Sequence, residues 1–127
     1  MPIITDFTIP KSPEVFCPPQ DTFFIIFTAS KDPATGQPWC PDVRAALPHL
    51  QAAFTAGDCP QAAIVEVGQK PEWKNPKNAF RTNWNIDSVP TLARYQGAGE
   101  HAKETGRLVE GEILDGERLK TFVSQST

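Results

Sequence analysis

The chain has 127 residues, 12 basic and 15 acidic side chains and a net charge of −3, a length that holds one domain over residues 1–127 around one core. Leu, Ile, Val and Phe supply 29 residues, against 13 Pro and 8 Gly, which excludes disordered, collagen-like and fibrous chains. No two basic residues are adjacent, so the charge footprint of a nucleic-acid partner is absent.

Met1–Asp6 lacks the basic region of a signal peptide. Three cysteines, Cys17, Cys40 and Cys59, are too few for a disulfide scaffold. The longest apolar run, Phe23–Phe27, falls far short of the roughly 20 residues of a membrane helix. The expectation is a cytoplasmic, monomeric protein in a reducing compartment, with no membrane contact.

After a short apolar stretch (Ile4, Phe7, Ile9) and a proline-rich segment, Thr22–Ala29 is apolar on both faces. It reads as a central strand of a sheet covered on two sides. Ser30–Pro38 reads as a loop. Val43, Ala46, Leu47, Leu50, Ala53 and Phe54 recur at intervals of three and four, predicting an amphipathic helix bent at Pro48 and stopped by Gly57. Ala62–Val67 reads as a second buried strand, and Gly68–Lys77 as loop. Asn78–Trp84 predicts about two helical turns with Phe80 and Trp84 inward. Thr91–Tyr95 reads as a strand, Gln96–Gly106 as a polar turn and Arg107–Glu110 as a return strand. Asp115 is placed to cap a last helix carrying Leu119, Phe122 and Val123 on one face. This order predicts an α/β domain whose sheet is parallel in its first half, ends in an antiparallel pair, and has helices on both faces.

Cys40 follows a buried strand and opens a helix, with Pro41 at the first helical position. There the helix dipole and free backbone N–H groups favour a thiolate, the form that attacks disulfides. A small core residue is the alternative role for such a cysteine. Val89-Pro90-Thr91 precedes a strand, where a proline marks the strand start or a bulge. His49 and His101 share no metal-ligand spacing with each other or with a cysteine, so no metal site is assigned. Trp73 and Trp84 read as core or loop anchors, and Glu66 as a strand-end acid.

Together Trp39-Cys40-Pro41-Asp42, Pro48 and Ser88-Val89-Pro90-Thr91-Leu92 resemble the thioredoxin fold. The match extends to Phe27-Thr28, Ser30-Lys31-Asp32, Val67-Gly68, Lys70-Pro71-x-Trp73-Lys74-x-Pro76 and Phe80-Arg81, and is closest to the Clot family of small thioredoxin-related proteins. The resemblance implies thiol–disulfide exchange on protein or small disulfides, a cis Pro90 lying against Cys40, and substrate docking along Trp39, Pro41, Val89, Pro90 and Thr91. It also implies that Val43 stands where the family motif places its second, resolving cysteine.

Cys59, beyond the helix that starts at Cys40, lies roughly 25 Å from it at helical rise. Cys17 lies on the order of 20–30 Å away, across a strand. Both exceed the ~7 Å Cα separation that a disulfide tolerates. An external thiol such as glutathione is then the expected co-substrate, with no bound cofactor. Asp42 is either a proton carrier for the leaving thiol or a first-turn acid favoured by the helix dipole. Arg44 either contacts a glutathione carboxylate or is a solvated surface residue. The alternative to a one-cysteine oxidoreductase is a redox-inactive binding protein or a redox sensor.

Overall fold

A computed structural model of the chain describes residues 3–5, 7–12, 16, 22–54, 61–97 and 103–124. The elements are β1 (Ile3–Ile4), β2 (Thr22–Thr28), α1 (Pro41–Ala53), β3 (Gln61–Glu66), α2 (Lys70–Lys74), α3 (Ala79–Thr82), β4 (Thr91–Gln96), β5 (Lys103–Val109), a 3-10 turn over Glu110–Leu114, and α4 (Gly116–Ser124).

The strands form one sheet in the order β1-β3-β2-β4-β5. β1 and β2 each pair in parallel with β3, while β2–β4 and β4–β5 are antiparallel. Every residue of β2 is buried, as expected of a strand with a sheet neighbour on each side and helices above and below. Its side chains alternate between two cores. Phe23, Ile25 and Phe27 meet Val43, Trp84, Ile86 and Tyr95 on one face; Phe24 and Ile26 meet Ala46, Leu50, Phe54, Ile113 and Phe122 on the other. Burying each of these large side chains contributes about 1.5–3 kcal/mol. Phe24 is gripped edge-on by Phe54 and Phe122, with ring centroids at 5.3 and 5.6 Å, so α1 and α4 lock onto the same strand residue.

Four elements differ from expectation. α3 spans four residues, Ala79–Thr82, in place of the two turns predicted over Asn78–Trp84, although Phe80 packs on the core and Trp84 is buried. Gly68–Lys77 holds a helix, α2, in place of the predicted loop. Pro71 lies in its first turn, where the missing N–H costs nothing, and the Glu72 carboxylate accepts the Gln69 backbone N–H at 2.8 Å. The return strand starts at Lys103 rather than Arg107, because its first three residues are exposed and polar and give no apolar signal. The 3-10 turn after it has no counterpart in the sequence pattern. The last helix follows the prediction: Asp115 Oδ1 accepts the Arg118 N–H at 3.2 Å, and Leu119, Phe122 and Val123 are buried. α1 runs through Pro48, which sits on its exposed side. The predicted stop at Gly57 lies outside the described residues.

Candidate functional site

β2 ends against the loop that leads into α1, and β4 begins beside it, so both sequence motifs converge at one end of the sheet. Cys40 is the N-cap of α1, with φ −93° and ψ 122°, and its carbonyl accepts the Arg44 N–H at 3.2 Å. It is half-buried, and its side chain makes no capping hydrogen bond to the first helical turn. Pro41 and Asp42 are exposed in that turn. Val43, on the inner side of the helix, is fully buried in the core beneath Cys40. Among the described residues Cys40 is the one cysteine. Cys17, Cys59 and His101 lie outside them, as do the separations predicted for the two cysteines.

The Val89-Pro90 peptide bond is cis. The Cys40 thiol donates to the Val89 carbonyl across 3.9 Å, a long contact even for sulfur. Forty-nine residues of chain therefore separate two groups that touch. Thr91 is fully buried; its hydroxyl donates to the Ser88 carbonyl at 2.7 Å, and the Pro90 carbonyl accepts the Glu110 N–H at 2.9 Å. Thr91 thus holds the turn in place. Val89 and Pro90 are also buried, and Cys40 beside them is half-buried.

Trp39 is half-buried, and its indole Nε1–H donates to the Gly68 carbonyl at 2.9 Å. The exposed Arg44 donates from Nη1 to the Pro38 carbonyl at 2.6 Å, tying α1 back to the loop. His49 is exposed on α1. Trp73 and Trp84 are buried anchors, at 5% and 2% exposure, and Glu66 is exposed at the end of β3. The loop before Trp39 closes on itself: Asp32 Oδ1 accepts the Ala34 N–H at 2.8 Å, and the Asp32 N–H donates to the Gln37 carbonyl at 2.7 Å.

Sequence reasoning gives no role to Ser30, Gly68, Gln69 and Glu72. Ser30 Oγ accepts the Gly68 N–H at 3.0 Å, and Gln69 Nε2 donates to the Lys31 carbonyl at 2.7 Å. Gly68 has φ +111°, and a Cβ there would lie 3.0 Å from Glu72 Cβ. The available signal is the glycine directly after a buried strand.

A half-buried cysteine at a helix start, facing a cis-proline turn on a mixed five-stranded sheet, defines a thioredoxin-like α/β protein. The solved thioredoxin of Trichomonas vaginalis superposes over 98% of this chain and 96% of its own, with a TM-score of 0.63 at 18% identity. Residues 12–124 match the family described as thioredoxin domain-containing protein 17-like, thioredoxin domain, and the chain belongs to that family. It is 41% identical over 103 residues to thioredoxin domain-containing protein C21C3.12c of Schizosaccharomyces pombe, covering 81% of this chain and 83% of that one. It is 37% identical over 111 residues to human thioredoxin domain-containing protein 17 (82% and 79% covered). Over 79 residues, 58% of each chain, it is 35% identical to the thioredoxin-like protein Clot of Arabidopsis thaliana.

Proposed function

We propose that this protein is a thiol–disulfide oxidoreductase that works through Cys40 and an external resolving thiol. The observation that carries this reading is the half-buried Cys40 side chain at the start of α1, beside the cis Val89-Pro90 turn. The Cys40 thiolate attacks one sulfur of a substrate disulfide. A Cys40–substrate S–S bond forms as the substrate's own S–S bond breaks, and the departing thiolate takes a proton, with Asp42 as carrier. Val43 has no thiol with which to expel the bound half. Glutathione therefore attacks the Cys40 sulfur and releases the second substrate thiol. A second glutathione removes the first as glutathione disulfide. Two electrons pass from two glutathione thiols to one disulfide. The substrates are disulfide-bearing proteins or small disulfides, docked along Trp39, Pro41 and Val89-Pro90 in the cytoplasm, with no bound cofactor.

The test is turnover of a small mixed disulfide in the presence of glutathione. Activity abolished by C40S is the expected outcome, and wild-type activity no greater than that of C40S overturns the reading. The buried, thiol-free Val43 favours a second reading, a redox-inactive module that binds extended peptides beside Trp39 and Val89-Pro90. Capture of a partner that depends on Trp39 and is indifferent to C40A selects it over the first.

A further inference from the structure

Two hydrogen bonds end on one carbonyl. The Gly68 oxygen accepts the Ser30 backbone N–H at 3.2 Å and the Trp39 indole N–H at 2.9 Å, which fills both of its lone pairs. Ser30 answers on two further sides: its Oγ accepts the Gly68 N–H at 3.0 Å, and its carbonyl accepts the Trp39 backbone N–H at 3.3 Å. Trp39 is thus tied through its backbone to Ser30 and through its side chain to Gly68. The turn carrying Gly68 is itself fixed by Gln69, which bonds to the Lys31 carbonyl, and by Glu72, which accepts the Gln69 N–H. An indole on a loop would ordinarily be free to change rotamer. Here its one polar atom is committed to the backbone 29 residues away, so the ring is a fixed wall one residue from the thiol.

We propose that Ser30 and Gly68 are positioning residues. They act through Trp39, holding its ring in the orientation that a disulfide-bearing peptide meets as it approaches Cys40. The proposal deepens the oxidoreductase reading and rests on it for its kinetic consequence. A pre-set wall removes the cost of ordering a side chain on each docking event, so its loss weakens binding of a peptide and leaves bond exchange at sulfur unchanged.

The experiment compares wild type, S30A, S30T and G68A, all checked for thermal unfolding, with W39F as reference. KM and kcat are measured on a disulfide-linked peptide with glutathione. Iodide quenching of tryptophan fluorescence is recorded in parallel. That signal reports Trp39, since Trp73 and Trp84 are buried, and W39F identifies its share. S30A should raise KM about fivefold with kcat unchanged, what one lost neutral hydrogen bond of about 1 kcal/mol amounts to. G68A, whose added Cβ meets Glu72 at a positive φ and shifts the turn that carries the carbonyl, should move KM in the same direction with kcat unchanged. Quenching of Trp39 should rise in both. S30T, which keeps the acceptor oxygen, should restore both readouts. Alkylation of Cys40 by iodoacetamide, a reagent too small to need the wall, should match wild type in S30A, S30T and G68A. Folded S30A and G68A with wild-type KM and quenching overturn the proposal, as does a fall in kcat alone. Absence of Cys40-dependent turnover in the wild type overturns the oxidoreductase reading, and the quenching arm then still decides whether Ser30 and Gly68 fix the indole.

Discussion

The Arg81 guanidinium lies 3.9 Å from the centre of the Trp73 ring, and its Nε donates to the Trp73 carbonyl at 2.6 Å. One side chain on α3 therefore stacks on α2 and also closes that helix's backbone. α2 has only five residues and cannot stand alone, so this clamp and the Asn78 side chain, which donates to the Val67 and Glu72 carbonyls at 3.1 Å, hold it on the sheet. R81A should cost about 2–4 kcal/mol, the sum of a cation–π contact and a charged hydrogen bond. R81K should recover only part, because an ammonium lacks the planar stack and the Nε donor. Urea unfolding of the three proteins checks this, and an R81A midpoint equal to wild type would contradict it.

Tyr95 is the single tyrosine and is fully buried, with no hydrogen-bond partner for its hydroxyl among the described residues. Burial raises its phenol above the ordinary value of 10.0; the Glu104 charge adds to the rise and Arg107 opposes it. The folded chain therefore keeps the phenol proton at pH values where the unfolded chain gives it up. Stability from this group is fully present below about pH 10 and is lost as the pH climbs beyond it. Phenolate absorbance should appear together with unfolding and not before. Y95F should flatten the alkaline loss, and at neutral pH should be neutral or stabilising, since it removes a buried unpaired hydroxyl. A phenolate titrating near pH 10 in a chain with native circular dichroism would defeat the assignment.

Val43 lies three residues after Cys40, less than one helical turn and about 5 Å along the axis, a separation that a disulfide accepts. V43C should form an intramolecular bridge between Cys40 and the introduced thiol on oxidation, read as a mass loss of two hydrogens. Without glutathione it should release the second substrate thiol, whereas the wild type stays trapped as the mixed disulfide. The lost core methyl should cost about 0.5–1.5 kcal/mol in unfolding free energy. Mass spectrometry after one equivalent of disulfide decides the matter; an unbridged V43C, or a wild type that clears its adduct unaided, would count against the mechanism.

The apolar runs make the centre of the fold legible. β2, most of β3 and β4, and the inner face of α1 are buried, and burial is what a hydrophobic pattern reports. Half of β5 escapes that pattern because Lys103, Glu104 and Thr105 are exposed. α2 escapes it because Pro71 looks like a breaker, although a proline in the first turn costs a helix nothing. Cys40 and Val89-Pro90 are legible as separate motifs, and the resemblance brings them together. The tie from Ser30 to Gly68 is not legible. It joins a hydroxyl to a backbone N–H across 38 residues, and only the parallel pairing of β2 with β3 brings those strand ends side by side.

The order of strands leaves β1 and β5 at the two margins. β1 pairs over two residues, and β5 opens with three exposed polar residues beside a break in register at Arg94/Tyr95. An incoming strand at β5 would meet a lysine, a glutamate and an interrupted ladder, and at β1 almost no length on which to pair. The described sheet therefore offers little free edge for fibril-like stacking, and the apolar strand at its centre, of a kind that drives cross-β assembly when uncovered, is buried along its whole length.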